Sequence, residues 1–194
     1  SVPVVFITGQ VAAHLIGGDA FQETDVTGIT LPITKHNYLV TRADQIAVTI
    51  REAFYIARSG RPGPVLIDIC KNAQVESCEF VYPDEPKLVG YQPVTHSPRA
   101  LLDQAVELIE KAKKPIILCG HGVLMSKAEA ELMQFAVKTQ IPVSSTLLGL
   151  GAFPASHPLS LGMMGMHGEA YANNAIQNSD LILAFGMRFD DRVT

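Results

Sequence analysis

The segment Pro115-Ile-Ile-Leu-Cys-Gly-His-Gly122 decides the fold class of the second half of the chain. Its apolar residues form a run with the length of a buried strand, and glycine follows directly. The run therefore predicts a strand over 115–119. Comparable runs predict two further strands, over 141–145 and 180–185.

Residues between and beside these strands show helical periodicity. Apolar residues recur at the spacing of amphipathic helices over 97–112, 127–139 and 169–177. Strands that alternate with helices are typical of a doubly wound α/β domain, in which ligands bind beyond the carboxyl ends of the strands. We therefore predict that three segments face one crevice: Gly120-His-Gly122, Ser145-Thr-Leu147 and Gly186-Met-Arg188.

The first half of the chain has the same fold class. A strand over 4–8, a helix over 44–58 and a strand over 64–69 form the strand-helix-strand unit that builds parallel sheets. The stretch between the first strand and this helix is predicted to be mostly loop, with one short helix. Its polar segments Asp19-Ala-Phe-Gln-Glu23 and Thr34-Lys-His-Asn-Tyr38 are placed on loops.

A linker separates the two halves. Over 76–97, prolines and charged residues interrupt every short apolar run, which is typical of a connection between domains. We place the domain boundary near residue 90.

Composition limits the classes of function. Hydrophobic residues make up 47% of the chain and charged residues 18%, a balance typical of a packed globular protein. The net charge of −4 offers no basic face for nucleic acid or for an anionic membrane. No apolar run approaches the roughly 20 residues that span a bilayer. Three cysteines without a CxxC spacing favour a reducing compartment.

The two ends of the sequence predict an internal fragment of a longer protein. The chain begins without Met on a strand-like run, and it stops after a charged motif. A whole protein seldom begins and ends within an element.

Two segments at the predicted crevice allow two interpretations each. The glycines beside His121 permit close backbone approach to a phosphate, or they only form a tight turn. Thr146 either bonds a ligand or caps the next turn.

The segment Leu161-Gly-Met-Met-Gly-Met-His-Gly168 is rich in methionine and glycine. Its methionines either fill an irregular core gap or form a soft apolar wall beside a flat cofactor. His167 has no second His or Cys at ligand spacing, so we predict no metal site.

The segment Arg188-Phe-Asp-Asp-Arg192 follows a predicted strand directly. Its charges either form a solvated loop or pair so that one guanidinium points at an anion, and the planar fork of arginine suits a carboxylate. The sequence has no GxSxG motif, P-loop or HExxH motif, and it shows no self-sufficient catalytic set.

Several motifs in order resemble acetohydroxyacid (acetolactate) synthase large subunits, which are thiamine-diphosphate-dependent enzymes. They are Asp19-Ala-Phe-Gln-Glu23, Thr34-Lys-His-Asn-Tyr38, Ser59-Gly-Arg-Pro-Gly-Pro-Val65, Leu161-Gly-Met-Met-Gly-Met-His-Gly168 and Arg188-Phe-Asp-Asp-Arg-Val-Thr194. The resemblance implies that residues 1–75 end a parallel-sheet pyrimidine-binding domain. It implies that residues 98–194 begin a doubly wound, central FAD-binding domain.

The resemblance also implies an activity and its setting. Family members decarboxylate pyruvate and join the remaining two-carbon unit to pyruvate or 2-ketobutyrate, in branched-chain amino-acid biosynthesis. The implied cofactors are thiamine diphosphate, FAD and Mg²⁺, with the Mg²⁺ ligands outside this chain. The implied partners are further large subunits, in a homodimer or tetramer, and a regulatory small subunit. The implied location is the bacterial cytoplasm, or a plastid or mitochondrion.

Residue roles follow from the same resemblance. Phe21 and Gln22 match an active-site pair, and Arg192 matches the arginine that holds the carboxylate of the second keto acid, with Asp191 beside it. Further matches to the substrate pocket and channel are Met166, Lys71 and Lys35. Matches to FAD contacts are Arg61, Gly120, His121, Gly122, Thr146, Leu147, Met164, Gly165, Met166, His167, Gly186, Met187, Arg188, Phe189 and Asp190.

Other functions stay open at this stage. The chain could belong to another thiamine-diphosphate enzyme, such as glyoxylate carboligase, pyruvate oxidase or catabolic acetolactate synthase, or to a non-catalytic nucleotide-binding module. We expect the 194-residue chain alone to form no acetolactate, because the family's cofactor-activating glutamate and diphosphate-binding motif would lie outside it.

Overall fold

The computed structural model describes residues 1–86 and 88–193. The chain divides into two compact units, Ser1–His96 and Ser97–Thr194. Each unit contains its own parallel sheet, so each is described by itself.

The first unit is built on a three-stranded parallel sheet. Its strands are β1 (Val5–Gln10), β2 (His36–Val40) and β3 (Val65–Cys70), in the order β1-β3-β2. All six residues of β3 are buried, because this strand is central and apolar almost throughout. The helices of the unit are α1 (Val26–Thr30), α2 (Ile46–Arg58) and α3 (Lys71–Val75).

Helix α2 covers one face of this sheet. Its buried residues Ala53, Ile56 and Ala57 belong to one cluster with Val65 and Ile67 of β3. The spacing of these residues along α2 is the helical period that the sequence shows.

Strand β2 corrects one sequence-based expectation. The segment 34–38 was expected on a loop, but the chain is extended from His36 onward. His36 pairs with Val65 and Val40 pairs with Ile69, so hydrogen bonding to the buried central strand stabilises a segment whose first residues are polar. The segment Asp19-Ala-Phe-Gln-Glu23 lies on a loop, as expected.

The second unit is built on a four-stranded parallel sheet. Its strands are β4 (Pro115–Cys119), β5 (Val143–Ser145), β6 (Ser160–Met163) and β7 (Leu181–Phe185), in the order β6-β5-β4-β7. Its helices are α4 (Arg99–Lys111), α5 (His121–Ser126), α6 (Glu129–Thr139) and α7 (Ala170–Gln177). The sequence predicted three of these strands, and β6 is an addition within the segment rich in methionine and glycine.

Both faces of the second sheet are covered, which confirms the doubly wound α/β prediction. Ile117 and Val143 belong to a cluster with Leu132 and Ala136 of α6. On the opposite face, Ile116 and Leu118 pack with Met164, and Ala175 and Ile176 of α7 lie against them. Neighbouring residues of β4 therefore point to opposite faces, as strand geometry requires.

Helix α4 packs less than its sequence predicted. It has no buried residue, and Leu101, Leu102 and Leu108 are at least half exposed, while Ile109 lies against the core. Within the described residues, no helix has the length and apolar character needed to cross a membrane.

Candidate functional site

The carboxyl ends of the strands in the second unit meet at one edge of the sheet. The amide of Thr146 donates to the carbonyl of Cys119 at 2.9 Å, and the amide of Gly120 donates to the carbonyl of Phe185 at 2.9 Å. The three segments expected to share an edge do share it. A fourth loop, which follows β6, joins them because Met164 donates to the carbonyl of Ser145 at 3.0 Å.

The winding of the sheet reverses at β4. From β4 the chain proceeds to β5 and β6 on one side of the sheet, and then returns to place β7 on the other side of β4. The loops after β4 and β7 consequently leave the sheet at the point where the winding reverses. Such points are where open α/β sheets bind ligands.

Glycines let the loops after β4 and β7 touch through their backbones. The amide of Gly122 donates to the carbonyl of Gly186 at 2.8 Å, and a Cβ built on Gly122 would lie 2.6 Å from the Cα of Gly186. Close packing therefore accounts for Gly122 without a phosphate, and its amide is already engaged. Neither glycine beside His121 forms a tight turn, since Gly120 is extended before α5 and Gly122 lies within α5; close packing against the loop after β7 requires both.

Gly122→Ala should destabilise the second unit by about 1–3 kcal/mol, because the contact is with rigid backbone and overpacked sites relax poorly. Urea denaturation followed by circular dichroism measures the change. Gly9→Ala in β1 is the matched control, since a Cβ there would meet its nearest atom at 3.7 Å. Equal midpoints for the two variants would contradict the packing explanation.

The methionines of the loop after β6 divide between the two interpretations that the sequence left open. Met164 is buried against Ile116 and Leu118, so it fills the core. Met166 is 59% exposed and is available to a ligand. His167 is exposed, and no group of three possible metal ligands occurs among the described residues.

Asn173 of α7 holds the backbone of this loop. Its side-chain amide donates to the carbonyl of Gly165 and accepts from the amide of Gly165, each at 2.9 Å. Gly165 has φ of +101°, and a Cβ there would lie 2.3 Å from the carbonyl oxygen of Arg192, so only glycine fits. The amide of Met166 donates to that same carbonyl at 3.0 Å. The loops after β6 and β7 are therefore joined.

The charged segment after β7 contains one tight and one loose ion pair. Arg188 donates to Asp190 at 2.5 Å, and this bond, helped by the amide of Arg192, holds the pKa of Asp190 below its usual value. Arg192 lies 3.5 Å from Asp191, and its side chain is 68% exposed. The guanidinium of Arg192 is therefore the freer of the two to bind an anion.

Thr146 and the leucines after it complete the edge. The hydroxyl of Thr146 accepts from the amide of Gly149 at 3.1 Å, so the capping interpretation is confirmed. His121 Nδ1 lies 3.1 Å from the carbonyl oxygen of Leu148. Leu147, Leu148 and Phe189 are exposed, so the edge presents large apolar surface on its loops.

In the first unit, a polar network lies at the carboxyl ends of the strands. Asp68 on β3 is fully buried and accepts from the hydroxyl of Thr8 at 2.7 Å and from the side chain of Gln10 at 3.0 Å. The same Gln10 nitrogen donates to the carbonyl of Thr24 at 2.6 Å. The loop that carries Phe21 and Gln22 is thereby fixed to the sheet.

Comparison with known proteins identifies the family. Residues 102–194 match the family model described as the thiamine pyrophosphate enzyme central domain. The whole chain is 53% identical, over 194 residues, to the acetolactate synthase large subunit of Corynebacterium glutamicum, and it covers 31% of that protein. The chain is a homologue of acetolactate synthase large subunits. Acetolactate synthase 2, chloroplastic, of Nicotiana tabacum is also 53% identical, over 201 residues, and the chain covers 29% of it.

A solved structure supports the same assignment. A protein from Mycobacterium smegmatis, described as a thiamin diphosphate-dependent enzyme, superposes with a TM-score of 0.75 at 25% identity. The match covers 99% of this chain and 36% of the other. The acetolactate synthase homologue therefore spans about a third of the length of the relatives that it matches.

Two lysines assigned to one substrate channel lie at opposite ends of the first sheet. Lys71 follows β3 directly, whereas Lys35 precedes β2, and the two strands are parallel and paired. Because Lys35 is level with Pro64 in this register, the separation along the strands is about 23 Å. The ammonium of Lys35 donates to the carbonyls of Ile56 and Ser59 at 2.6 and 2.5 Å, where it complements the negative end of α2.

Arg61 also precedes β3, and its Nε donates to the hydroxyl of Ser1 at 3.0 Å.

Three residues to which the sequence patterns gave no role hold the backbone of loops that carry candidate site residues or neighbour them. Asn173 holds Gly165, as described above. Asn72 accepts from the amide of Ala13 at 2.9 Å and donates to the carbonyl of Thr41 at 2.8 Å. Glu23, the third, bonds the turn that precedes it.

Two recesses lie away from the predicted residues. One, in the first unit, lies between α2 and the segment around Phe80 and Tyr82. The other, in the second unit, opens near Lys113 and Asn178, beside the amino ends of the strands. Neither is lined by a residue assigned to the site.

Proposed function

We propose that the protein containing this chain is an acetohydroxyacid (acetolactate) synthase, which decarboxylates pyruvate and condenses the product with pyruvate or 2-ketobutyrate. The observation that carries the proposal is the 53% identity to acetolactate synthases along the entire chain. The strand-end loops that resemble the family's site segments also lie at the edge where an α/β sheet binds ligands.

The second unit fits FAD at its carboxyl edge. The loops after β4 and β7 meet at the winding reversal through glycine backbones, which brings the side chains of both loops to one edge. Exposed Leu147, Met166 and Phe189 offer apolar surface for a flat ring system. Arg188, held by Asp190, places a guanidinium beside this surface. Further proposed contacts, mostly through backbone atoms, are Gly120, His121, Gly122, Thr146, Met164, Gly165, His167, Gly186, Met187 and Asp190.

Thiamine diphosphate, when bound with Mg²⁺, supplies the electron sink for decarboxylation. The residues of this chain would position the substrates. The guanidinium of Arg192 would bind the carboxylate of the second keto acid through its planar fork, and Asp191 would orient it. Met166 would line that pocket. In the first unit, Lys71 would contribute positive charge to the substrate channel. Phe21 and Gln22 would contact the cofactor and the incoming substrate.

The assembly and location are also proposals. We propose a homodimer or homotetramer of large subunits that binds a regulatory small subunit, since the Corynebacterium glutamicum relative is named a large subunit. Bacterial and chloroplastic relatives point to the bacterial cytoplasm or to a plastid or mitochondrion.

The decisive experiment supplies the full-length protein with thiamine diphosphate, Mg²⁺ and FAD. We expect acetolactate from pyruvate alone, and acetohydroxybutyrate when 2-ketobutyrate is added. Protein stripped of FAD should lose activity and regain it on re-addition. Oxygen consumption with pyruvate, or carboligation of glyoxylate alone, would overturn the proposal in favour of another thiamine-diphosphate enzyme.

A further inference from the structure

The carboxylate of Glu23 accepts two backbone hydrogen bonds within the loop between β1 and α1. One oxygen of Glu23 accepts from the amide of Gly17 at 2.5 Å, and the other accepts from the amide of Ala20 at 3.0 Å. The amide of Glu23 in turn donates to the carbonyl of Ala20 at 3.0 Å. Both carboxylate oxygens and the backbone of Glu23 therefore hold one turn.

This turn contains two residues in an unfavourable backbone conformation. Asp19 has φ of +59° and Gln22 has φ of +66°, in the left-handed region where non-glycine residues are uncommon. Such residues persist only where the surroundings fix their backbone. The charge-assisted bonds of Glu23 fix this turn. They also lower the pKa of Glu23, mainly through the amide of Gly17.

Packing does not hold the tip of the turn in the first unit. Phe21 is 90% exposed, so its position depends on the backbone rather than on neighbouring side chains. The residues that follow the turn, Thr24 and Asp25, are held by other hydrogen bonds. Gln10 donates to the carbonyl of Thr24, and Asp25 accepts from the amide of Gly28 at 2.9 Å at the start of α1. The residues that precede the tip, from Gly17 to Ala20, depend on Glu23.

We propose that Glu23 is a positioning residue, whose carboxylate sets the turn that presents Phe21 and Gln22 to the reaction centre. The proposal rests on the proposed function for the role of Phe21 and Gln22. The geometric part stands on the hydrogen bonds to Gly17 and Ala20 alone. Glu23 itself touches no reacting atom in this assignment.

The test compares Glu23→Ala and Glu23→Gln in the full-length enzyme. In Glu23→Ala, hydrogen exchange at the amides of Gly17 and Ala20 should accelerate by about tenfold or more, because both acceptors are lost. The kcat for acetolactate should fall by about ten- to hundredfold, because the turn misplaces groups near the reacting atoms. The Tm should stay close to that of the wild type.

The conservative variant and a control separate positioning from general damage. Glu23→Gln keeps one acceptor oxygen, so its exchange rates and kcat should lie between those of the wild type and Glu23→Ala. Glu79→Ala, at an exposed glutamate that makes no side-chain hydrogen bond within the described part of the first unit, should change neither quantity. If Glu23→Ala does not fold, the comparison of Glu23→Gln with the wild type decides.

Two results would overturn the proposal. Unchanged exchange at Gly17 and Ala20 would show that Glu23 does not hold the turn, and faster exchange with kcat within about twofold would show that the turn is irrelevant to the reaction. A wild-type enzyme that makes no acetolactate would refute the proposed function instead. The exchange rates would still decide whether Glu23 holds the turn.

Discussion

Replacing Asp68 by alanine is expected to lower the free energy of unfolding of the first unit by about 2–4 kcal/mol. The side chain is fully buried on the central strand, and it accepts from Thr8 and from Gln10. Alanine leaves the hydroxyl of Thr8 without this acceptor, removes one of the two acceptors of Gln10, and opens a small cavity. Urea denaturation followed by circular dichroism measures the loss.

Asparagine at position 68 provides the matched comparison. Asp68→Asn conserves volume and one acceptor oxygen, so it should cost about half as much, since one buried donor still loses its partner. Gln10 also bonds the carbonyl of Thr24, so the alanine variant should speed amide exchange in the loop that carries Phe21. Wild-type stability for Asp68→Ala would refute the structural role of this network.

Arg192→Ala should weaken use of the second keto acid by about 2–4 kcal/mol, while decarboxylation of the first pyruvate changes little. The reason is the difference between the two arginines of the segment. Arg188 is bound to Asp190 at 2.5 Å, whereas Arg192 has only a 3.5 Å approach to Asp191 and is largely exposed. Its fork is therefore available to a substrate carboxylate.

The two half-reactions can be measured separately in the full-length enzyme. Release of carbon dioxide with an artificial electron acceptor reports decarboxylation, and acetohydroxybutyrate formation reports use of the second acid. Arg192→Lys keeps the charge but loses the planar fork, so it should recover only part of the activity. Equal losses in both half-reactions would contradict the role assigned to Arg192.

The parts of the fold that sequence reasoning predicted are those where burial controls the residue types. Strand β4 is a continuous apolar run because both of its faces are covered, and this made it recognisable. Strand β6 contains Gly162, a residue type depleted in strands, and only one strand-compatible large apolar pair, Leu161 and Met163, so pairing with β5 stabilises it. Strand β2 begins with the polar residues His36 and Asn37, and pairing with the buried strand β3 likewise stabilises it.

The candidate site was predictable to the extent that it follows from topology. Carboxyl ends of parallel strands must share an edge, so the positions after β4, β5 and β7 could be grouped before the structure. Hydrogen bonds to particular backbone groups could not be predicted. The side chain of Asn173 bonds the backbone of Gly165, and the side chain of Asn72 bonds the amide of Ala13. Both backbone groups belong to other loops, and no local sequence pattern reveals which loop groups need a side-chain partner.

Lys35 shows a second limit of prediction from sequence: a motif can identify a residue without giving its position in the sheet. A motif identified the residue, but the parallel pairing of β2 with β3 places it at the amino edge of the sheet, where the carbonyls of α2 engage it. Resemblance in sequence therefore does not determine which edge of a sheet a side chain occupies.

The loop after β6 has a rigid main chain and a loosely surrounded side chain at position 166. Asn173 and the carbonyl of Arg192 fix the peptide groups on either side, while Met166 itself projects largely into solvent in this unit. Natural variation or engineering can therefore exchange the Met166 side chain without reshaping the loop. Since Met166 is proposed to line the pocket of the second keto acid, position 166 is a suitable starting point for libraries designed to change the choice of that acid.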